Sequence, residues 1–191
     1  IIEALQQGGH EIIAHSTDMN GTIASGLAED EERALIQQSL DALEAASGTR
    51  PRGWLSIARS QSFNTPRLLA EAGVEYMCDR VNDELPYQMT TEAGGIVNIP
   101  LNHELSDRQI INVQQQSVDS YAQQMRDAYG WLANEAASHG GRMLPLHLTP
   151  YIMGLPYRID AFEGLVRWLA EQPGAWFATG SELLDSWSAQ A

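Results

Sequence analysis

Histidine and aspartate side chains stand beside short apolar segments, where they could exchange protons with a substrate. A histidine can act as an acid or a base near neutral pH, and a carboxylate can serve as a base or orient a histidine. His15 ends one apolar segment, Asp79 directly follows another, and His147 lies in a third. We predict these three residues as catalytic, with the histidines as acid–base or substrate-polarising groups and Asp79 orienting one of them.

Further polar residues follow the same segments and are candidates for binding a substrate. They are Asp18, Trp54, Asn82, Asp83, Thr149 and Pro150. If the segments are parallel strands, their C-terminal ends meet at one edge of the sheet, where α/β folds place their sites. We therefore expect the candidates to converge at a shared rim, although convergence alone does not identify a reaction.

The same residues also have structural interpretations. A histidine at the end of an apolar strand, such as His15, is as readily a hydrogen-bonded core group as a catalytic one. Asp79, Asn82 and Asp83 can be loop formers that bond their own backbone. His103 fits a surface loop better than a site.

Two other kinds of residue favour a structural role more strongly. His10 precedes its apolar segment, at the end away from the expected site. The five tryptophans more often belong to a core than to a platform for sugars, although Trp54 is kept as a substrate-binding candidate.

Hydrophobic spacing and capping signals predict helices that alternate with short strands. Helices are predicted over 1–7, 28–47, 65–73, 117–139 and 159–171, and from 179 onward. Thr65 and Ser117 are predicted as N-caps, and Thr179 with Glu182 as a capping box. Strands are predicted over 10–15, 54–57, 74–78, 143–148 and 175–178, with a hairpin over 85–100. Four acidic residues at 29–32 begin the second helix and complement its dipole. The alternation indicates an α/β fold with parallel strands covered by helices, in a single domain over 1–191.

Charge and composition exclude several classes of partner. The formal net charge is −14, from 25 acidic and 11 basic residues, and such a surface repels phosphate backbones and anionic lipids. We therefore expect a small-molecule or carbohydrate substrate and no nucleic-acid or membrane partner. The single cysteine, Cys78, cannot form an internal disulfide, which allows a cytoplasmic location. The chain begins without Met inside a helical pattern, so we expect an N-terminally truncated start.

A divalent metal site of the expected kind needs two histidines four residues apart and an aspartate. His15 is followed four residues later by Met19, whose thioether is a poor ligand for zinc. We therefore expect no metal or other cofactor. The alternative is a divalent metal such as zinc held by unusual ligands.

Longer blocks of sequence resemble the polysaccharide deacetylase (NodB homology) family. GGHEIIAHS at 8–16 resembles the second conserved block of that family. Further blocks follow in family order: SGTRPRGWLS at 47–56, NTPRLLAEAGVEYMCDRVNDELPY at 64–87, LHLTPYIMGLPYRI at 146–159 and WFATGSELLDSW at 176–187. The chain is most similar to the metal-poor branch that includes the allantoinase-like proteins.

The resemblance implies a distorted (β/α) barrel that lacks its N-terminal strand or strands in this chain. In metal-dependent members the absent part carries a catalytic and a metal-binding aspartate. The histidine pair that binds metal in those members falls on His15 and Met19 here, and the groove arginine falls near Leu55. The resemblance thus implies that a metal ligand and the arginine are both lost.

Two later blocks also depart from the family pattern. The first aspartate of the fourth block matches Asp79, but the second matches Asn82. The histidine of the fifth block aligns with Thr149, and His147 lies two residues earlier, where a strand would face both side chains the same way. These departures resemble the metal-free branch, whose members hydrolyse cyclic amides such as allantoin.

These observations lead to one expected function and two alternatives. We expect a metal-independent hydrolase of non-peptide C–N bonds that acts on a small amide, a ureide or an N-acetyl substrate. The alternatives are a metal-dependent sugar deacetylase with altered ligands and a catalytically inactive barrel that binds a carbohydrate or small molecule. Assembly into a homo-oligomer is a further expectation, by analogy of fold alone.

Overall fold

The computed structural model describes residues 1–190, which form two compact units. Residues 1–100 together with 178–190 contain every β-strand among the described residues, and we call them the sheet unit. Residues 101–177 contain helices and irregular segments, and we call them the helical unit.

The sheet unit is built on a mixed four-stranded sheet. Its strands are β1 (Gly53–Trp54), β2 (Tyr76–Met77), β3 (Tyr87–Thr91) and β4 (Gly94–Asn98). The order is β1-β2-β4-β3, in which β1, β2 and β4 run parallel and β3 pairs antiparallel with β4. Ala14 adds one parallel bridge to Trp54 at the edge. The C-terminal ends of the parallel strands therefore share one edge of this unit.

Seven α-helices occur among the described residues. They are α1 (Ile2–Gln7), α2 (Glu29–Ser47), α3 (Thr65–Glu71), α4 (Val118–His139), α5 (Pro150–Met153), α6 (Ile159–Ala170) and α7 (Gly180–Ser188). Six of the seven match the sequence pattern, and the short helix α5 was not predicted. A 3₁₀ turn (Ile57–Arg59) and a π-helical segment (Arg108–Val113) complete the regular structure. No helix among the described residues is both long and apolar enough to cross a membrane.

Each unit has its own apolar core. In the sheet unit, Trp54 and Met77 pack with Ile36 and Leu40 of α2 and Leu68 of α3. In the helical unit, one cluster joins α4, α5, α6 and the π-helical segment, with these buried members: Ile110, Tyr121, Met125, Ile152 and Leu165. Removing such side chains from water supplies most of the stabilisation of each unit.

The capping signals hold, with one correction. Thr179 and Glu182 form the predicted capping box at α7, and Ser117 caps α4 through the Ser120 N–H. The cap of α3 is Asn64, whereas Thr65 was predicted to fill that position. The Thr65 hydroxyl instead donates to the Glu32 carboxylate.

Glu32 differs from the three exposed acids that precede it in the acidic run 29–32. It is fully buried, and its carboxylate accepts hydrogen bonds from the Ser62 and Thr65 hydroxyls at 2.6 and 2.5 Å. It therefore ties α2 to the loop before α3.

The predicted strands are the least accurate part of the sequence interpretation. Segments 143–148 and 175–178 form no strand, and segment 10–15 contributes a single bridge at Ala14. Segment 54–57 leaves the sheet after Trp54 and turns into the 3₁₀ segment. A short apolar run indicates that the segment is buried. A strand also needs hydrogen-bond partners for its backbone groups, and the apolar run does not show whether such partners exist.

Candidate functional site

Asp79 lies beyond the end of β2, beside the residue that follows β1. The Ser56 N–H donates to Oδ1 of Asp79 at 2.7 Å, and the Ser56 hydroxyl donates to Oδ2 at 3.1 Å. Asp79 is only 7% exposed. One serine therefore bonds both carboxylate oxygens and joins the ends of two neighbouring strands.

Burial decides the proton affinity of Asp79. It raises the pKa of the Asp79 carboxyl above its ordinary value, and the two hydrogen bonds from Ser56 and the positive charge of Arg59 only partly oppose it. Asp79 consequently holds a proton to higher pH than an exposed aspartate does.

Trp54 lies behind this pair and not at the surface. Its side chain is fully buried, and its indole N–H donates to the Ser56 hydroxyl oxygen at 2.9 Å. The contacts of Trp54 are those of a core residue that supports Ser56, rather than those of a platform for a sugar.

His15 is exposed and is oriented by the backbone. Its Nδ1 lies 2.5 Å from the carbonyl oxygen of Leu55. A carbonyl can only accept a hydrogen bond, so Nδ1 carries the proton and Nε2 is the basic nitrogen of the neutral ring. The Leu55 carbonyl thus orients His15, a role the sequence prediction had given to Asp79 for one of the histidines.

The remaining polar candidates of the sheet unit make turn contacts. Oδ1 of Asp18 accepts the backbone N–H groups two and three residues later, at 2.7 and 3.2 Å. Oδ1 of Asp83 accepts the next two N–H groups, at 2.7 and 3.4 Å. Asn82 accepts the Tyr87 hydroxyl at 2.7 Å. The contacts of Asp83 match the loop-forming interpretation, Asp18 makes contacts of the same kind, and Asn82 bonds a side chain of β3 instead. A substrate-binding role for the three residues stays a prediction.

Asn98 is a site-supporting residue that sequence reasoning missed. It is fully buried at the end of β4, where Oδ1 accepts the Arg80 N–H at 3.0 Å and Nδ2 donates to the Arg80 carbonyl at 2.8 Å. This two-point contact holds the segment that directly follows Asp79. The available signal was an amide inside the apolar run IVNIP.

The helical unit holds the other predicted residues. His147 is half-buried, and its ring centroid lies 6.1 Å from that of His103, with the rings tilted by 59°. His103 is exposed in a loop, as expected, but its proximity to a predicted catalytic histidine was not foreseen. Thr149 and Pro150 form the start of α5.

The described residues do not fit a divalent metal. Residues 1–190 contain no group of three or more His, Cys, Asp or Glu side chains placed to hold an ion. Met19, in the position of the second histidine, is 73% exposed, and Oδ1 of Asp18 is engaged with backbone N–H groups.

Cys78 is a poor nucleophile despite its position next to Asp79. Burial raises the pKa of its thiol to about 12, and the nearby carboxylates of Asp79 and Glu11 act in the same direction. The thiolate, which is the reactive form, is therefore scarce near neutral pH.

A cavity of about 180 Å³ in the sheet unit lies away from these residues, on the side where β1 begins. Its charged lining comprises Glu11, Arg50 and Arg52, together with His10. Each arginine is already paired with two carboxylates. The cavity contains no predicted site residue, and its arginines are neutralised.

Comparison with known proteins identifies the relatives of this chain. No family model matches it. The "Putative polysaccharide deacetylase" of Schizosaccharomyces pombe is 23% identical over 208 residues, a match that covers 100% of this chain and 64% of that protein. The solved structure of a "probable polysaccharide deacetylase" from Pseudomonas aeruginosa PAO1 is 27% identical with a TM-score of 0.87, covering 99% of this chain and 63% of the other.

PuuE allantoinase gives a similar match, with 27% identity and a TM-score of 0.87 over 98% of this chain and 62% of the other. The chain thus spans less than two thirds of the length of these relatives. A CE4 family pseudoenzyme from Bacillus anthracis shares the fold at 15% identity and a TM-score of 0.57, over 96% of this chain and 50% of the other, so the fold alone does not decide activity. The predicted α/β fold and resemblance are confirmed: by sequence and by structure, this chain is related to the polysaccharide deacetylases and to PuuE allantoinase.

Proposed function

We propose that the chain carries active-site residues of a hydrolase that cleaves a non-peptide C–N bond in a small amide, a ureide or an N-acetyl group. One observation gives this proposal its main support. The hydrogen bond from Nδ1 of His15 to the Leu55 carbonyl makes Nε2 the basic nitrogen of an exposed ring at a strand end. That is the arrangement a general base requires.

The chemistry follows from this tautomer. Nε2 of His15 takes a proton from a water molecule as the water oxygen attacks the carbonyl carbon of the substrate. The C–N bond then breaks, and the departing nitrogen receives a proton from the imidazolium. His147 is proposed as a second acid–base or substrate-polarising group in its own unit.

Asp79 is proposed to act through other residues rather than on the substrate. It holds Ser56, the neighbour of the Leu55 carbonyl that orients His15. A shift of this segment would move the carbonyl and with it the imidazole. Asp79 is therefore a positioning residue in this proposal.

A tightly bound metal is not part of the proposed function. The support is the donor set, because Met19 replaces a ligand and the Asp18 carboxylate caps a turn. Elemental analysis of the purified full-length protein is the direct test. Stoichiometric zinc, with loss of turnover on chelation, would support the metal-dependent alternative.

The catalytic assignment is tested by replacing each histidine in the full-length protein. His15→Ala and His147→Ala should each lower kcat/KM by about 10²–10⁴-fold, the usual contribution of a general acid or base. Turnover is measured with allantoin and with N-acetylglucosamine oligomers. Unchanged turnover in both variants would show the assignment to be wrong.

Matched histidines are available as controls in both units. His10→Ala replaces an exposed histidine of the sheet unit, and His139→Ala replaces the exposed last residue of α4. Both variants should retain turnover. If wild-type protein is stabilised against heat by either compound but converts neither, a binding module replaces the enzyme as the better explanation.

A further inference from the structure

The segment that carries His147 is bonded at two backbone groups to one residue, Asp107, and belongs to no strand. The Asp107 N–H donates to the His147 carbonyl at 3.2 Å. The Thr149 N–H donates to Oδ2 of Asp107 at 2.7 Å. A residue of a neighbouring strand would offer its backbone N–H and its backbone carbonyl to these two groups; here the Asp107 carboxylate takes the place of that carbonyl. Thr149 has an extended backbone, with φ −117° and ψ 113°.

Asp107 is itself firmly placed. It is fully buried between a turn that begins near His103 and the π-helical segment whose Ile110 and Ile111 enter the core. The Ser106 N–H donates to the His103 carbonyl at 3.0 Å, and the Ser106 hydroxyl accepts the Gln109 N–H at 3.1 Å. Asp107 therefore links the turn carrying His103 to the segment carrying His147.

An aspartate at this position is costly for stability alone. Its Oδ1 is buried without a hydrogen-bond partner, and a buried carboxylate loses its hydration. Burial raises the pKa of the Tyr121 hydroxyl, and the charge of Asp107 acts in the same direction. An anionic acceptor makes a stronger bond to a backbone N–H than a neutral one does, so the charge strengthens the contact with Thr149.

We propose that Asp107 is a positioning residue that fixes the backbone on both sides of Leu148 and thereby sets His147 and Thr149 on one face of the segment. Its bonds fall on the His147 carbonyl and the Thr149 N–H, and alternate residues of an extended segment point the same way. The effect on catalysis rests on the proposed function of His147. The effect on the backbone is independent of that proposed function.

The backbone effect is tested by hydrogen exchange at the Thr149 amide. Asp107→Ala removes the acceptor and should speed that exchange by about tenfold or more, the equivalent of one lost hydrogen bond to a charged group. Asp107→Asn keeps an oxygen acceptor and should restore most of the protection. Asp119→Ala and Asp119→Asn, at an exposed aspartate in the first turn of α4, are the controls and should leave the exchange unchanged.

The catalytic effect is tested by allantoin turnover in the full-length variants. Misplacing His147 should lower kcat by about 10²-fold in Asp107→Ala while KM changes little, and Asp107→Asn should recover most of the loss. An equal loss in both variants, or a change confined to KM, would contradict positioning. If Asp107→Ala does not fold, Asp107→Glu replaces it, because the added methylene displaces the carboxylate from the Thr149 N–H.

The two proposals fail in different ways. Unchanged Thr149 exchange in Asp107→Ala, or in Asp107→Glu as its substitute, overturns the positioning role whatever the enzyme does. Faster exchange in a protein whose wild type converts neither allantoin nor N-acetylglucosamine oligomers supports the positioning role and removes the proposed hydrolase. Faster exchange together with wild-type kcat separates Asp107 from catalysis and overturns that part of the proposal.

Discussion

The sheet unit and the helical unit hold their predicted histidines by different means. In the sheet unit, Ala14 pairs with Trp54 of β1, which places the next residue, His15, at the end of the paired segment. The carbonyl of Leu55 then orients the His15 ring through a hydrogen bond. In the helical unit no strand supports His147, and the backbone bonds of that segment go to Asp107. The segment of His15 is thus held by two backbone bonds between Ala14 and the β1 region, whereas in the segment of His147 one residue, Asp107, supplies a backbone bond and a side-chain bond.

The largest change in stability is expected from a substitution in the core beneath the strand ends of the sheet unit. Trp54→Ala removes a fully buried indole and its bond to Ser56, and should cost about 3–5 kcal/mol of unfolding free energy. Trp131→Ala in the helical unit is the matched control, because Trp131 is 69% exposed and such surface changes usually stay within about 0.5 kcal/mol. Urea unfolding monitored by circular dichroism measures both, and equal losses would refute the assignment of Trp54 to the core.

Replacing a glycine by alanine should change the free energy of unfolding in opposite directions in the two units. A Cβ on Gly53 would lie 2.2 Å from the Tyr76 ring, so Gly53→Ala should destabilise the protein by about 1–3 kcal/mol. A Cβ on Gly164 in α6 meets no atom within 4 Å, and Gly164→Ala should stabilise by about 0.5–1 kcal/mol through better helix propensity. The unfolding midpoint in urea reports both changes, and destabilisation by Gly164→Ala would contradict the open environment of that position.

Helix caps should contribute about equally to the free energy of unfolding in the two units. The two units would then differ in how they hold the histidines and not in how they cap their helices. Thr179→Ala at α7 and Ser117→Ala at α4 each remove a side-chain acceptor for a backbone N–H. Each should cost about 1 kcal/mol in thermal or urea unfolding. A much larger loss at one cap would indicate a tertiary role beyond capping.

The smallest expected effect is a pH dependence confined to the sheet unit. Because burial raises the pKa of folded Asp79, the folded state keeps this proton above the ordinary value of 3.8, where the unfolded chain has lost it. The free energy contributed by Asp79 therefore declines as pH rises from that value through the folded pKa. Asp79→Asn should flatten the dependence in urea unfolding across this window. Ser56→Ala removes the hydroxyl hydrogen bond to the carboxylate but keeps the backbone N–H bond, and it should extend the dependence to higher pH.

The predicted site residues separate into those whose contacts are local and those whose contacts are not. Asp18 and Asp83 bond backbone groups within three residues, and the loop-forming interpretation anticipated this for Asp83. The contact of Asp79 with Ser56 spans 23 residues, and the sequence pattern indicated only that Asp79 follows an apolar run. The nearness of His103 to His147 and the contacts of Asn98 and Asp107 were missed for the same reason.

The sequence by itself determined six of the seven α-helices, the hairpin and most of the caps, because spacing, glycines and capping residues act within a few positions of the chain. Family resemblance in the quoted blocks also determined the fold class. Only the tertiary structure decided which apolar segments became strands and which buried polar groups support the histidines. Those outcomes depend on hydrogen bonds between distant residues, such as the one that joins Thr149 to Asp107 across 42 positions, and an apolar run carries no information about its partner.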